Sequence, residues 1–313
     1  MATILITHGI PAEGFRLLDG HRIIMPEPLA AYSVEELTAL IADADAVVAG
    51  GKLPGDVIRK GTKLRIIANY GAGYDGVDVR AAAACGVPVT NIPDTVTRDT
   101  AELAIALMLA VSRRVGEMNL RLRREPSPTL FGMGRHMGRS LRGQTLGIVG
   151  CGRIGRCTAR IAAALGMRVL GYSRSGADAS VCEPVDLPTL LREADVVSLH
   201  CPLTDATRGL INAEAFRQMK PGAILINTAR GAVVDTEALL AALDSGALSG
   251  AGLDVYPDEP NIPAALLERN NVVCTPHVGT NTEQTRREMA EACSRQILDA
   301  LAGKRPENIV NGV

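Results

Sequence analysis

Residues 145–172 read TLGIVGCGRIGRCTARIAAALGMRVLGY, and Gly150, Gly152 and Gly155 fall between an apolar run and an alanine-rich helical run. The order is strand, glycine-rich turn, helix, strand. Gly150 permits the tight turn, Gly152 lets backbone approach a pyrophosphate, and Gly155 lets the helix pack close to the strand. The exposed N–H groups that open such a helix favour an anion. Arg153 and Ile154, between the second and third glycines, are counted with the same cofactor contacts. Six-residue glycine patterns arise by chance, but this one has the flanking strand and helix that the mechanism requires.

A carboxylate usually ends the second strand of such a unit, where it holds the ribose 2′-hydroxyl. Here Ser173, Arg174 and Ser175 stand instead. A carboxylate would repel a 2′-phosphate, whereas Arg174 offers it a planar cation with several donors, and the two serines add hydroxyls. One charge-assisted hydrogen bond contributes about 1.5–3 kcal/mol, or about ten- to hundredfold in preference. The sequence therefore predicts NADP(H) as the preferred cofactor, with NAD(H) possible.

Apolar β-type runs alternate with helical stretches through most of the chain. The candidate strands are 3–7, 46–50, 64–69, 88–91, 145–150, 167–172, 196–200, 223–228, 250–255 and 272–276. Near-continuous apolar strands fit parallel sheets covered on both faces, and their alternation with helices predicts α/β, doubly wound architecture. A long helical stretch over 99–125 is followed by PSPTLFGMGRHMGRSLRG, rich in Gly, Pro and Arg, and a new βα unit starts at Gln144. The 313 residues suffice for two domains. The division expected is 1–98 with 282–313, for substrate, and 99–281, for the dinucleotide.

Net charge is −1 with 21% charged residues, and the basic run RLRR at 121–124 is short, so nothing points to nucleic acid or a membrane surface. The opening MATILITHGI reads as a strand rather than a leader, and the apolar stretch 101–111 is too short to span a bilayer. Seven scattered cysteines without a C-x-x-C read as reduced, structural thiols, which places the chain in the cytoplasm. No pair of the five histidines has metal-ligand spacing, so no protein-bound metal is expected.

Three polar residues lie just past late strands, where an open α/β sheet holds its ligands. They are Arg230 in INTARGAVVD, Glu259 in LDVYPDEP and His277 in TPHVGT. Together with NYGAGYDGVD, NIPDTVTRDTAELAIALMLAVSRR, HCPLTDATRGLI and MKPGAILINTARGAVVD, these stretches resemble the D-isomer-specific 2-hydroxyacid dehydrogenase family over nearly the whole chain. The resemblance implies two Rossmann-like domains with the active site in a cleft between them, and a homodimer.

It further implies that Arg230 binds the substrate carboxylate and polarises the keto oxygen, work that suits a fixed bidentate cation. His277 is implied as general acid in reduction and base in oxidation. Glu259 beside it favours the imidazolium. Backbone N–H groups of Gly71, Ala72 and Gly73 are implied to hold the carboxylate. Cofactor contacts are implied at Cys201, Pro202, Thr207, Thr228, Ala229, Asp254 and Gly279, with Thr100 at the hinge.

NYGAGYDGVDV with NIPDTVT is similar to the glyoxylate/hydroxypyruvate reductase branch, and Ala72 and Leu53 suit a small 2-oxo acid. Lys52 beside Leu53 reads as solvent-facing, the alternative being that it selects a second acidic group on the substrate. The chain has no Trp, while many relatives carry one after the central helix; Phe131, Met133 or His136 take that region here. An aromatic 2-oxo acid therefore stays open as substrate. Formate or phosphite dehydrogenases would carry other substrate-site residues. A non-catalytic, cofactor-sensing binding protein of the same fold would keep the whole Arg, Glu and His set.

Overall fold

The computed structural model describes residues 1–313. The chain divides into two compact units, Met1–Val96 with Thr280–Val313, and Thr97–Gly279.

The first unit holds a five-stranded parallel sheet of Thr3–Ile6 (β1), Arg22–Ile24 (β2), Ala46–Ala49 (β3), Ile66–Asn69 (β4) and Val89–Thr90 (β5), in the order β2-β1-β3-β4-β5. Every residue of β3 and β4 is buried, which is why AVVA and IIAN show no polar alternation. Helices Val34–Ile41 (α1), Gly55–Ile58 (α2) and Val79–Ala84 (α3) belong to the same unit. The start of α1 is set by a capping box, with Ser33 and Glu36 each bonding the other's backbone N–H.

The second unit opens with Thr97–Ser112 (α4) and Val115–Arg124 (α5). The single helix expected over 99–125 is thus broken. Arg114 lies in the left-handed region at φ 57°, and its guanidinium grips Glu117 through two bonds of 2.7 and 2.8 Å. Arg121 holds the same carboxylate at 3.0 Å, and Glu117 is left 7% exposed. A seven-stranded parallel sheet follows: Thr145–Val149 (β6), Arg168–Tyr172 (β7), Glu183–Pro184 (β8), Val196–Leu199 (β9), Ala223–Asn227 (β10), Leu248–Leu253 (β11) and Val272–Cys274 (β12). Its order is β12-β11-β10-β9-β6-β7-β8, which reverses direction between β6 and β9. Arg153–Ala164 (α6) follows β6, and Leu187–Glu193 (α7), Ala213–Gln218 (α8), Thr236–Asp244 (α9) and Ala264–Leu267 (α10) join the later strands.

The closing helix, Glu283–Leu301 (α11), is capped by Thr282 and packs in the first unit. Its Met289, Ala290, Cys293, Ile297 and Ala300 form one stripe at helical spacing, in a common core with Phe15, Leu18, Ile66 and Ala68. All seven cysteines are free thiols. No helix is long and apolar enough to cross a membrane.

Candidate active site

The glycine turn sits where the second sheet reverses, between β6 and β9. Gly150 has φ 103°, and a Cβ there would lie 2.5 Å from the Cys201 amide nitrogen. A Cβ on Gly155 would lie 2.1 Å from the Gly150 carbonyl oxygen, so α6 packs against the turn only because that residue has no side chain. Gly152 is the cap of α6 and lends it no side-chain bond, and the space where its Cβ would stand is open. A helix start without a side-chain cap beside open space is a seat for a phosphate. Thr228, at the end of β10, has a buried hydroxyl with no hydrogen-bond partner, a group that calls for a ligand. These features fit a dinucleotide. Gly155→Ala is expected to lower stability by about 1–3 kcal/mol and to weaken dinucleotide binding more than tenfold, because the clash is with backbone. Thermal unfolding and a fluorescence titration check this; wild-type values in both would refute the packing argument.

Ser173, Arg174 and Ser175 form a tight turn directly after β7, closed by the Gly176 N–H donating to the Ser173 carbonyl at 3.0 Å. The two serine hydroxyls are 3.1 Å apart, and Arg174 is exposed and makes no ion pair. In the loop after β9, Thr207 donates to the Pro202 carbonyl at 2.7 Å and accepts from the Thr204 N–H at 2.8 Å. The Thr207 hydroxyl therefore braces its own loop. Cys201 is buried, which pushes its thiol pKa up.

Past β10, the Asn227 side chain shapes the turn that carries Arg230. Its oxygen accepts from the Ala229 N–H at 3.0 Å, and its nitrogen donates to the Arg230 carbonyl at 3.0 Å. The Arg230 guanidinium donates to the Ala229 carbonyl at 2.8 Å. A Cβ on Gly231 would lie 2.0 Å from the Tyr256 carbonyl carbon, so this turn rests directly on the backbone that leads to Glu259.

His277 Nδ1 and Glu259 Oε2 are 2.7 Å apart, and Glu259 Oε1 accepts from the Tyr256 N–H at 2.9 Å. Burial pushes the Glu259 pKa up. The bonds from His277 and Tyr256, with the charges of His277 and Arg230, outweigh burial and hold it below its ordinary value. This pairing supports the fold above the pKa of a free glutamate, about 4.3, and is lost as pH falls through the lower folded value. Arg230 and His277 thus both act on the Glu259 carboxylate.

His277 itself has φ 52°, uncommon for a residue with a side chain. Asp254, 1% exposed, explains it. Its carboxylate accepts from the Thr275 hydroxyl at 2.6 Å, the Val278 N–H at 2.8 Å and the Gly279 N–H at 2.9 Å, and its carbonyl accepts from the His277 N–H at 2.9 Å. Asp254 is a latch on the histidine loop, and one lone pair on Oδ2 is left over for a further donor.

In the first unit, the Gly71–Gly73 loop follows β4. Asn69 donates to the carbonyls of Gly71 and Gly73 at 2.9 and 3.0 Å, and Asn91 to that of Ala72 at 2.8 Å. The Gly71 N–H is spent on the Asn69 carbonyl, leaving the Ala72 and Gly73 N–H groups unbonded. Leu53 departs from its expected place: it is fully buried in the core of this unit with Val57 and Val77 and offers no side chain to a solute, while Lys52 before it is exposed. Phe131, Met133 and His136 lie in an exposed segment with no helix or strand beyond the short turn 128–130.

The sequence reading missed Asn69, Asn91 and Asn227 as shaping groups. The signal was present, because asparagine is depleted in strands, and Asn69 and Asn227 both end buried ones. It also read Asp254 only as a cofactor contact.

Residues 105–279 match the model for the D-isomer specific 2-hydroxyacid dehydrogenase, NAD binding domain. The chain is 40% identical to a glyoxylate reductase of Thermococcus litoralis, over 98% of this chain and 96% of that one. It is also similar to the crystal structure of an NADPH-dependent glyoxylate/hydroxypyruvate reductase from Sinorhizobium meliloti in complex with NADP and malonate. That match has TM-score 0.88 and 33% identity, over 99% of this chain and 96% of that one. The structure of a D-2-hydroxyisocaproate dehydrogenase matches with TM-score 0.82 and 26% identity, over 99% of this chain and all of that one.

Proposed function

The chain belongs to the D-isomer-specific 2-hydroxyacid dehydrogenases, and from that premise we propose that it reduces glyoxylate or hydroxypyruvate to the D-2-hydroxy acid with NADPH. It is an NAD(P)-dependent dehydrogenase that acts on a small 2-oxo acid. The identity of that acid and the choice of dinucleotide are the proposal.

The observation that carries the reading is the 2.7 Å contact of His277 with Glu259, on a carboxylate that also feels Arg230. When bound, the nicotinamide supplies the hydride. His277 holds the proton for the keto oxygen at Nε2, because Nδ1 is committed to Glu259. Glu259 fixes the ring and balances the imidazolium charge. Arg230 pairs with the substrate carboxylate and faces the oxygen on which charge develops. In the first unit, the unbonded N–H groups of Ala72 and Gly73 are donors suited to a carboxylate. In the oxidative direction His277 receives the proton back. The cofactor seat comprises Gly150, Gly152, Arg153, Ile154 and Gly155, with the turn Ser173–Ser175, Cys201, Pro202, Ala229 and Gly279 beside it. Thr228, whose hydroxyl is unpartnered, and Asp254, with a lone pair to spare, would help to hold the cofactor.

The reading includes a homodimer, which would cover the exposed Phe131, Met133 and Met137. Seven free thiols suit a reducing compartment such as the cytoplasm.

Loss of NADPH absorbance at 340 nm with glyoxylate, hydroxypyruvate and phenylpyruvate tests the reading. Turnover of the first two supports it; preference for the aromatic acid reassigns the substrate, and no turnover of any makes the chain a cofactor-sensing binder. NADPH is expected to exceed NADH in kcat/KM, and Arg174→Ala to cut that preference about ten- to hundredfold. A wild-type preference for NADH would overturn the role given to Arg174.

A further inference from the structure

One residue of the second unit meets the supports of Arg230, Glu259 and His277 together. Tyr256 stands just past the end of β11 and is 5% exposed, with its ring in the core that holds Val233 and Leu253. Its main chain is the surface on which Gly231, beside Arg230, rests: a Cβ on Gly231 would lie 2.0 Å from the Tyr256 carbonyl carbon. Its N–H donates to Glu259 Oε1 at 2.9 Å. Its phenol oxygen lies 3.1 Å from the Leu253 carbonyl and 3.1 Å from that of Thr275.

The phenol is the part of Tyr256 that reaches the His277 segment. Leu253 ends β11, and Thr275 follows β12, the neighbouring strand, in which Cys274 pairs with Leu253. Both carbonyls also serve main-chain donors. That of Leu253 accepts from the Thr275 N–H at 2.9 Å, and that of Thr275 from the His277 N–H at 3.1 Å. A phenol has one proton, so the two equal distances describe a proton shared between the carbonyls. That proton stays in place at neutral pH, because burial, then the Cys274 thiol and the Asp254 carboxylate beside it, push the phenol pKa up. The hydroxyl therefore ties the strand end that leads to Glu259 to the segment that carries His277.

We propose that the Tyr256 hydroxyl is a positioning group for the proton transfer: by tying Leu253 to Thr275 it keeps His277 at bonding distance from Glu259. The inference rests on the role given to His277 above and deepens it. The groups that act on the Glu259 carboxylate are His277, the Tyr256 N–H and Arg230, and loss of the phenol hydroxyl disturbs the hold of the first.

Tyr256→Phe keeps the ring, the N–H to Glu259 and the contact with Gly231. It is expected to lower kcat about fivefold to tenfold, while KM for glyoxylate and the NADPH dissociation constant stay within about twofold. The acid limb of the kcat profile is expected to move to higher pH, because Glu259 loses part of the bond that holds its pKa down. The test is steady-state kinetics of wild type and Y256F across pH, with a fluorescence titration of NADPH and thermal unfolding of each. A lower kcat with a displaced acid limb supports the role. An acid limb that does not move, whatever the change in Tm, would make the hydroxyl a purely structural clasp and overturn the role, as would a loss confined to KM; the reading of His277 would still stand. A wild type that turns over neither glyoxylate nor hydroxypyruvate would sink that reading and this one with it.

Discussion

His277→Ala lowers kcat by about a hundred- to ten-thousandfold and leaves the dinucleotide dissociation constant unchanged, if the imidazole is the proton donor. The reason for so large an effect is the geometry around Nδ1. With that nitrogen bonded to Glu259 at 2.7 Å, the ring has one orientation and one nitrogen left to serve the substrate. The loop that carries it is fixed by Asp254 through the Thr275 hydroxyl before it and the Val278 and Gly279 N–H groups after it, so removal of the side chain should not loosen the loop. Steady-state kinetics with both acids and a fluorescence titration of NADPH make the measurement. Turnover close to wild type would remove His277 from the reaction; a large rise in the dinucleotide dissociation constant would make its role structural.

For Arg230→Ala the expected loss is about a hundred- to thousandfold in kcat/KM, shared between KM and kcat. The guanidinium serves both the bound acid and the oxygen that gains charge, so ground state and transition state suffer together. Arg230→Lys keeps the charge but not the planar fork, and should recover only part of the activity. Asn227 holds that turn through two bonds that do not involve the guanidinium, so the variant should fold normally. A loss confined to KM would restrict Arg230 to carboxylate binding.

Most of the sheet architecture was legible because buried parallel strands are written as unbroken apolar runs. Two strands, β2 and β8, were not. Arg22–Ile24 is an edge strand with two exposed residues, and Glu183–Pro184 is an exposed pair at the other sheet's edge. Neither carries a burial signal. The break between α4 and α5 was hidden because Arg113-Arg114 continues a good helical pattern; the ion pairs to Glu117 that favour the break appear only in three dimensions. At the candidate site, the side chains with chemistry stood out by type and place. The groups that aim them did not. Asp254 acts across more than twenty residues of chain, and Leu53 read as a lining residue because composition does not say which way a side chain turns.

The bare contact of Gly231 with Tyr256 and Pro257 has an evolutionary consequence. Two main-chain segments meet there with nothing between them, so the separation of guanidinium and carboxylate cannot be adjusted by swapping a neighbour for one a methyl larger or smaller. Descendants of this enzyme that take up new acids are then obliged to keep that spacing as inherited, and to vary the chain elsewhere.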